Sequence, residues 1–339
     1  MVNVKSYLSS NFTKAFLIIF LPFFMIISLV YLVKISALTS QIQMSFFELM
    51  KLYSYSVPDI VFYTLPLSFV AALANMLTKL SQDNELIALY ALGLKSNKVL
   101  SSPWILAILF SLLLLSISFL AMPMSKQFYK SFKQSKKSEA KLNIVAGKLG
   151  QKFGDYYIYV KKNDNGKFKD IVIYNKTKKD EEQFFSSKRG QINHAKNSNS
   201  LLLEDGFGYT YEKDNLQQAQ YKTLEVFEQK EKNAFRFQDI VSYWAQAKTN
   251  SKIMHRALFF IFVSLIPILS LYLVASFTMI NPRYQSNRSF IVIFLTTLLL
   301  YLTASLMESH GNPLLLTATI AVILLFGKWL FGYRVARYF

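Results

Sequence analysis

The chain has 339 residues, 53% of them hydrophobic, a formal net charge of +18 and no cysteine, so it carries no disulfide, no thiolate metal site and no thiol nucleophile. So basic a chain first suggests nucleic acid as partner, but zinc-ligand cysteines and a recognition-helix pattern are both missing. Its lysines and arginines flank long apolar runs, which fits a membrane protein in contact with anionic lipid and no nucleic acid.

The apolar residues are gathered into runs of about twenty, enough for a helix to cross roughly 30 Å of hydrocarbon. Six such spans are expected: Ala15–Val33, Val57–Thr78, Ser101–Met122, Ala257–Ile280, Ser289–Met307 and Pro313–Phe331. The first is too long for a signal-peptide core and has no small-residue cleavage site after it, so it reads as a retained span. Pro22, Pro66 and Pro267 lie inside spans, which membrane helices tolerate when neighbouring groups re-satisfy the freed carbonyl.

Lys5 and Lys14, then Lys79, Lys95 and Lys98, then Arg283 and Arg288, then Arg334 and Arg337 fall on one side of this arrangement. The positive-inside rule calls that side cytoplasmic and places both termini there. The opposite short loops carry Lys34 and Lys51 against Glu48 and Asp59, then Glu308 and His310. Residues 1–123 hold the first three spans, with a short cytoplasmic helix at about 82–94, and residues 253–339 hold the last three.

Between them, residues 124–252 change character. A lysine-studded amphipathic stretch, Met124 to Lys141, extends the third helix. Period-two alternation follows through Tyr156–Val160, then the turn Asn163-Asp164-Asn165-Gly166, then a second alternating run from Phe168 to Tyr174, a hairpin signal. Further strands are expected at Gln183–Ser187, Gly190–His194, Leu201–Glu204, Gly208–Glu212 and Gln220–Phe227. Seven or so short strands suggest a meander that folds into a sandwich or an open roll, and Phe237–Ser251 reads as a helix leading back to the membrane. The fold class is therefore membrane α-helical, six transmembrane helices with an inserted all-β periplasmic domain, placed in the inner membrane.

The loop after the second span is the most informative stretch. Asp83 or Asn84 can cap a short helix, Glu85 suits its first turn, and Gly93 ends it. Such an apolar helix under the bilayer either lies in the headgroups or docks in a groove on a cytoplasmic partner. Lys34, at the end of the first span, either snorkels to the headgroups or meets an anionic lipid group, and Arg256 at the same depth on the fourth span has the same two readings. There is no G-x-x-x-x-G-K-[ST] and no G-x-S-x-G, so the chain is not itself a nucleotide hydrolase and enzyme chemistry is unsupported. His194, His255 and His310 are too dispersed for a metal site, and no cofactor is expected.

The run E-L-I-A-L-Y-A-L-G-L, with Gly93-Leu94 eight positions after Glu85, resembles the coupling helix of the lipopolysaccharide-export permeases of the LptF/LptG type. Four other features are similar to that family: V-P-D-I-V-F-Y-T-L-P-L-S from Val57 to Ser68, a β-rich insert between spans three and four, His255-Arg256 at the start of span four, and Asn281-Pro282-Arg283 at its end. Asn281-Pro282-Arg283 and Arg256 lean to the LptF member, whereas Lys34 in L-V-K-I is similar to a lysine of the LptG side.

The resemblance implies an open, jelly-roll-like domain whose interior shields acyl chains. It implies an ABC transporter permease subunit that extracts lipopolysaccharide from the inner membrane and passes it to periplasmic bridge proteins. The partners would be a homologous permease subunit and a cytoplasmic ATPase dimer gripping Glu85, Leu86, Leu89, Tyr90 and Gly93, with Lys34 and Arg256 as lipid contacts and spans one and five as a lateral gate. The rival readings are a membrane sensor or assembly scaffold with a periplasmic ligand-binding domain, and a permease for another lipid or lipoprotein.

Overall fold

A computed structural model describes residues 4–39, 44–142, 144–153, 156–164, 166–178, 181–195, 198–212, 215–227, 237–279 and 289–337. The chain divides into a helical unit (residues 1–37, 46–129 and 237–339) and a β unit (residues 38–45 and 130–236).

The helical unit contains α1 (Val4–Thr39), α2 (Phe46–Gln82), α3 (Glu85–Ala91) and α4 (Ser96–Ser116). A π turn, Ile117–Ala121, carries α4 on into α5 (Met122–Leu142), whose later residues belong to the β unit. After the β strands come α6 (Ile240–Ala245), α7 (Ser251–Ser264), α8 (Ile266–Thr278), α9 (Ser289–His310) and α10 (Pro313–Phe331). Among the described residues, five stretches are single helices long and apolar enough to cross a membrane, and α7 with α8 forms a sixth span bent by 43°. The expected fourth span is thus broken at Leu265, two residues before Pro267, which lacks an N–H and crowds the carbonyl four residues back. Pro22 and Pro66 leave α1 and α2 continuous.

The helices overrun the expected spans. The 37 residues of α2 would reach about 55 Å at 1.5 Å per residue. Glu48, Lys51 and Asp59, expected in a loop, therefore sit on α2. This helix is the centre of the bundle: 72% of its most apolar window is buried, against 11% for α1. Phe62, Phe69, Leu73 and Leu77 of α2 lie in one core with Phe12 of α1, Leu100 of α4, Phe262 of α7 and Leu271 of α8. The apolar faces left outside, such as Ile18, Met25 and Leu29 on α1 and Phe290, Phe294 and Leu302 on α9, are what a lipid-facing helix presents.

The π turn has a visible partner. Its wider winding disturbs the regular carbonyl ladder, and Trp244 Nε1 donates to the Phe119 carbonyl oxygen at 3.0 Å. The same indole lies against the Phe119 ring, 4.7 Å between centroids.

The β unit is one six-stranded antiparallel sheet in the order β1-β2-β3-β4-β5-β6. The strands are β1 (Gln151–Phe153), β2 (Tyr156–Asp164), β3 (Lys167–Lys178), β4 (Glu181–Ala195), β5 (Ser198–Glu212) and β6 (Asn215–Phe227). The meander is as expected, but four of the expected short strands fuse in pairs: Gln183–Ser187 with Gly190–His194 into β4, and Leu201–Glu204 with Gly208–Glu212 into β5. Gly166 closes the β2–β3 turn with φ +86°, its N–H donating to Asn163 Oδ1 at 3.0 Å, while Asn165 lies outside the described residues.

A crease explains the fusion. The ladder skips Lys161, Asp170, Lys188, Asp205 and Lys222, one residue on each of five neighbouring strands. Inward-facing positions then step by three instead of two: Phe168 to Ile171, Ser187 to Gly190, Leu203 to Gly206, Tyr221 to Leu224. Asp170 and Asp205 take φ of +52° and +53°, a conformation aspartate tolerates better than most side chains. Side chains replace the lost ladder bonds: Ser187 Oγ lies 2.6 Å from both the Arg189 and Glu204 carbonyl oxygens, and the Tyr221 hydroxyl donates to the Ser186 carbonyl at 3.0 Å. The creased sheet packs Ile158, Val160, Ile173, Leu201 and Leu203 on one another at 1% exposure or less. Among the described residues these side chains form the apolar core of the β unit.

Candidate functional site

The helix between spans two and three is built as its sequence dictates. Asn84 is the N-cap residue, but in the left-handed region (φ 59°) and without a side-chain capping bond, because the chain turns tightly out of α2. At the far end, Gly93 takes φ +80°; its N–H donates to Tyr90 O at 2.9 Å and that of Leu94 to Leu89 O at 3.2 Å, the paired bonds of a Schellman stop. Gly93 is therefore the C′ residue expected.

The residues of this loop divide between two jobs. Leu86 is 2% exposed and belongs to the bundle core, with Leu89 and Tyr90 packed against it. Burial pushes the Tyr90 hydroxyl up from its ordinary pKa, so it stays protonated at physiological pH. Ala88, Ala91 and Leu92 face outward, Leu92 at 79% exposure. Leu92, absent from the sequence-based set, is the exposed large apolar side chain of this loop; Leu86 is its anchor. Glu85 is partly exposed and accepts a hydrogen bond at 2.7 Å through Oε2 from the Tyr7 hydroxyl on α1, a contact no local pattern announced. Beside the loop, Ser81 Oγ of α2 lies 2.9 Å from the Thr278 carbonyl oxygen of α8, so the ends of both helices are tied next to α3.

The second candidate set lies away from this end. Lys34 of α1 is exposed, with its ammonium 5.3 Å from the centroid of the Tyr31 ring. Arg256 of α7 is exposed and donates from Nη1 to the Tyr243 hydroxyl of α6 at 3.1 Å. These contacts are separate, so the two cations are not joined to each other. Sequence reasoning missed a third feature. Asp59, half-sheltered on α2, pairs with Lys126 of α5 at 3.6 Å, and Lys126 also lies 5.9 Å from the Phe260 ring centroid. Opposite charges near the matching ends of consecutive spans were the available signal. An ionisable group at such a position is a functional candidate by default. His255 Nε2 is 3.4 Å from Ser251 Oγ and His310 Nδ1 is 2.9 Å from Ser309 Oγ, and no cluster that could hold a metal is found among the described residues. Asn281-Pro282-Arg283 lies outside the described residues, and so does Arg288.

A bundle of apolar spans, a β-sheet unit inserted between the third and fourth, and a short helix in one connecting loop define a polytopic membrane protein. Compared with known families, the chain matches over residues 6–333 the one described as lipopolysaccharide export system permease LptF/LptG, and it belongs to that family. It is thus a transport subunit of the inner membrane whose substrate is lipopolysaccharide. No curated protein matches the chain.

Proposed function

We propose that this permease works as half of an ATP-driven exporter. It pairs with a homologous permease subunit, and spans from both enclose a cavity reached laterally past α1 and α9, the first and fifth spans. A cytoplasmic ATPase dimer grips the α3 loop, and its closure drives lipopolysaccharide upward into the β unit, which hands it to a periplasmic bridge. Both termini are cytoplasmic in this arrangement. Lys34 and Arg256 meet phosphates of the glycolipid, where an ammonium or guanidinium forms charge-assisted bonds. A continuous apolar path is needed because each methylene moved into water costs about 0.8 kcal/mol, so a multi-chain lipid would cost tens of kcal/mol.

The observation that carries this reading is the loop helix: α3 is anchored by Leu86 and presents Leu92, with Glu85 beside it, to whatever docks there. The test is Glu85→Lys in the chain assembled with its partners. Hydrolysis that continues while lipid release falls at least about tenfold, roughly 1.4 kcal/mol of coupling, is the expected outcome. Normal release by that variant would contradict the assignment of α3 as the ATPase contact.

A further inference from the structure

The Tyr7–Glu85 hydrogen bond joins residues 78 positions apart, the start of α1 and the first residue of the docking helix. We infer that Tyr7 is a positioning residue, fastening the carboxylate of α3 to the first span so that force delivered at α3 is passed to α1. This rests on the reading of α3 as the site of ATPase docking.

Three observations carry it. First, α1 is loosely held by the bundle, with 11% of its most apolar window buried, so it is the span most free to move against the body. Second, its attachments gather in its first turns. Leu8 and Phe12 are buried, Ser9 Oγ lies 2.6 Å from Ser102 Oγ, and Ser102 Oγ donates to the Lys5 carbonyl at 3.1 Å. Farther along, the Tyr53 hydroxyl donates to Ser28 Oγ at 2.9 Å, a second tie on the α2 side. Displacement of the fastened end would therefore be carried along a continuous helix whose middle is greased by lipid-facing side chains. Third, Tyr7 occupies one carboxylate oxygen, Oε2, and Oε1 has no hydrogen-bond partner among the described residues. A carboxylate accepts on both oxygens, so Glu85 can hold Tyr7 with one and a basic residue of the ATPase with the other. One side chain then bridges the motor and the span.

The experiment compares the wild-type chain, Tyr7→Phe, Glu85→Gln and the double variant, each assembled with its ATPase and partner permease in proteoliposomes loaded with lipopolysaccharide. The readout is lipid released per ATP hydrolysed. Tyr7→Phe keeps the ring and removes the hydroxyl; the lipid-to-ATP ratio should fall at least about threefold, roughly 0.65 kcal/mol, whereas a merely structural role would lower hydrolysis and release together. Glu85→Gln still accepts from Tyr7 but loses the charge-assisted contact to the motor, so its ratio should fall as well; because the two side chains form one bridge, adding Tyr7→Phe to it should lower the ratio no further. A wild-type ratio in Tyr7→Phe overturns the inference, as does a double variant in which the two losses simply multiply. Failure of the wild-type assembly to release lipid at all would instead overturn the function on which the inference rests.

Discussion

Gly206 shows how a single residue sets the shape of the β unit. It follows the left-handed Asp205 at the crease, and a Cβ added there would run into the Ser186 carbonyl oxygen and the Tyr221 ring. Both neighbours are committed, since the Tyr221 hydroxyl donates to that same carbonyl. Burial also pushes the Tyr221 hydroxyl above its ordinary pKa, keeping it a donor. Gly206→Ala should therefore cost about 1–3 kcal/mol, the usual penalty for forcing atoms into a full site. In the intact chain this should appear as faster limited proteolysis within residues 130–236; unaltered protease resistance would mean the crease is softer than its contacts indicate. Gly93 is a different case: nothing lies within 4 Å of a Cβ built there, and what demands glycine is its φ of +80°.

At the scale of elements, the strands show both the reach and the failure of pattern reading. Period-two alternation located β2 and β3 because Ile158, Val160, Ile171 and Ile173 do alternate with outward residues. It then split β4 and β5, because a polar pair interrupts the alternation on each: Lys188-Arg189 and Glu204-Asp205. Such an interruption reads as a strand end in one sequence. Only the pairing across strands reveals that all five change phase along a single line, so each strand continues beyond it. The fourth span was legible but its bend was not, since Pro267 was visible but the length of the apolar run gave no sign that the helix would bend at Leu265.

The short helix α3 was legible for a firmer reason. Its stop signal is local, and Gly93 adopts the one backbone conformation its position requires. The direction of its side chains was not legible, because a seven-residue helix that is apolar nearly all round has no sequence-defined face. Two substitutions separate anchor from contact. Leu86→Ala should destabilise the chain by about 2–4 kcal/mol, seen as a lower melting midpoint in detergent. Leu92→Asp should leave that midpoint within about 0.5 kcal/mol of wild type yet reduce recovery of the ATPase on purification. Equal melting of the two variants would mean that Leu86 and Leu92 share one environment.

For the whole molecule, six apolar runs and one alternating insert were enough to give the architecture, because span length and strand period are fixed by backbone geometry. What the sequence withheld depends on contacts between distant segments: Tyr7 with Glu85, Asp59 with Lys126, Trp244 with the π turn. None of these pairs has a spacing rule. The central claim is that this permease, with a separate ATPase, moves lipopolysaccharide out of a bilayer. Its most direct test is the time course of lipopolysaccharide leaving proteoliposomes that contain the purified assembly, with and without ATP. The account predicts release to an added acceptor only when ATP is hydrolysed. Release at the same rate without ATP, or steady hydrolysis with none, would contradict it.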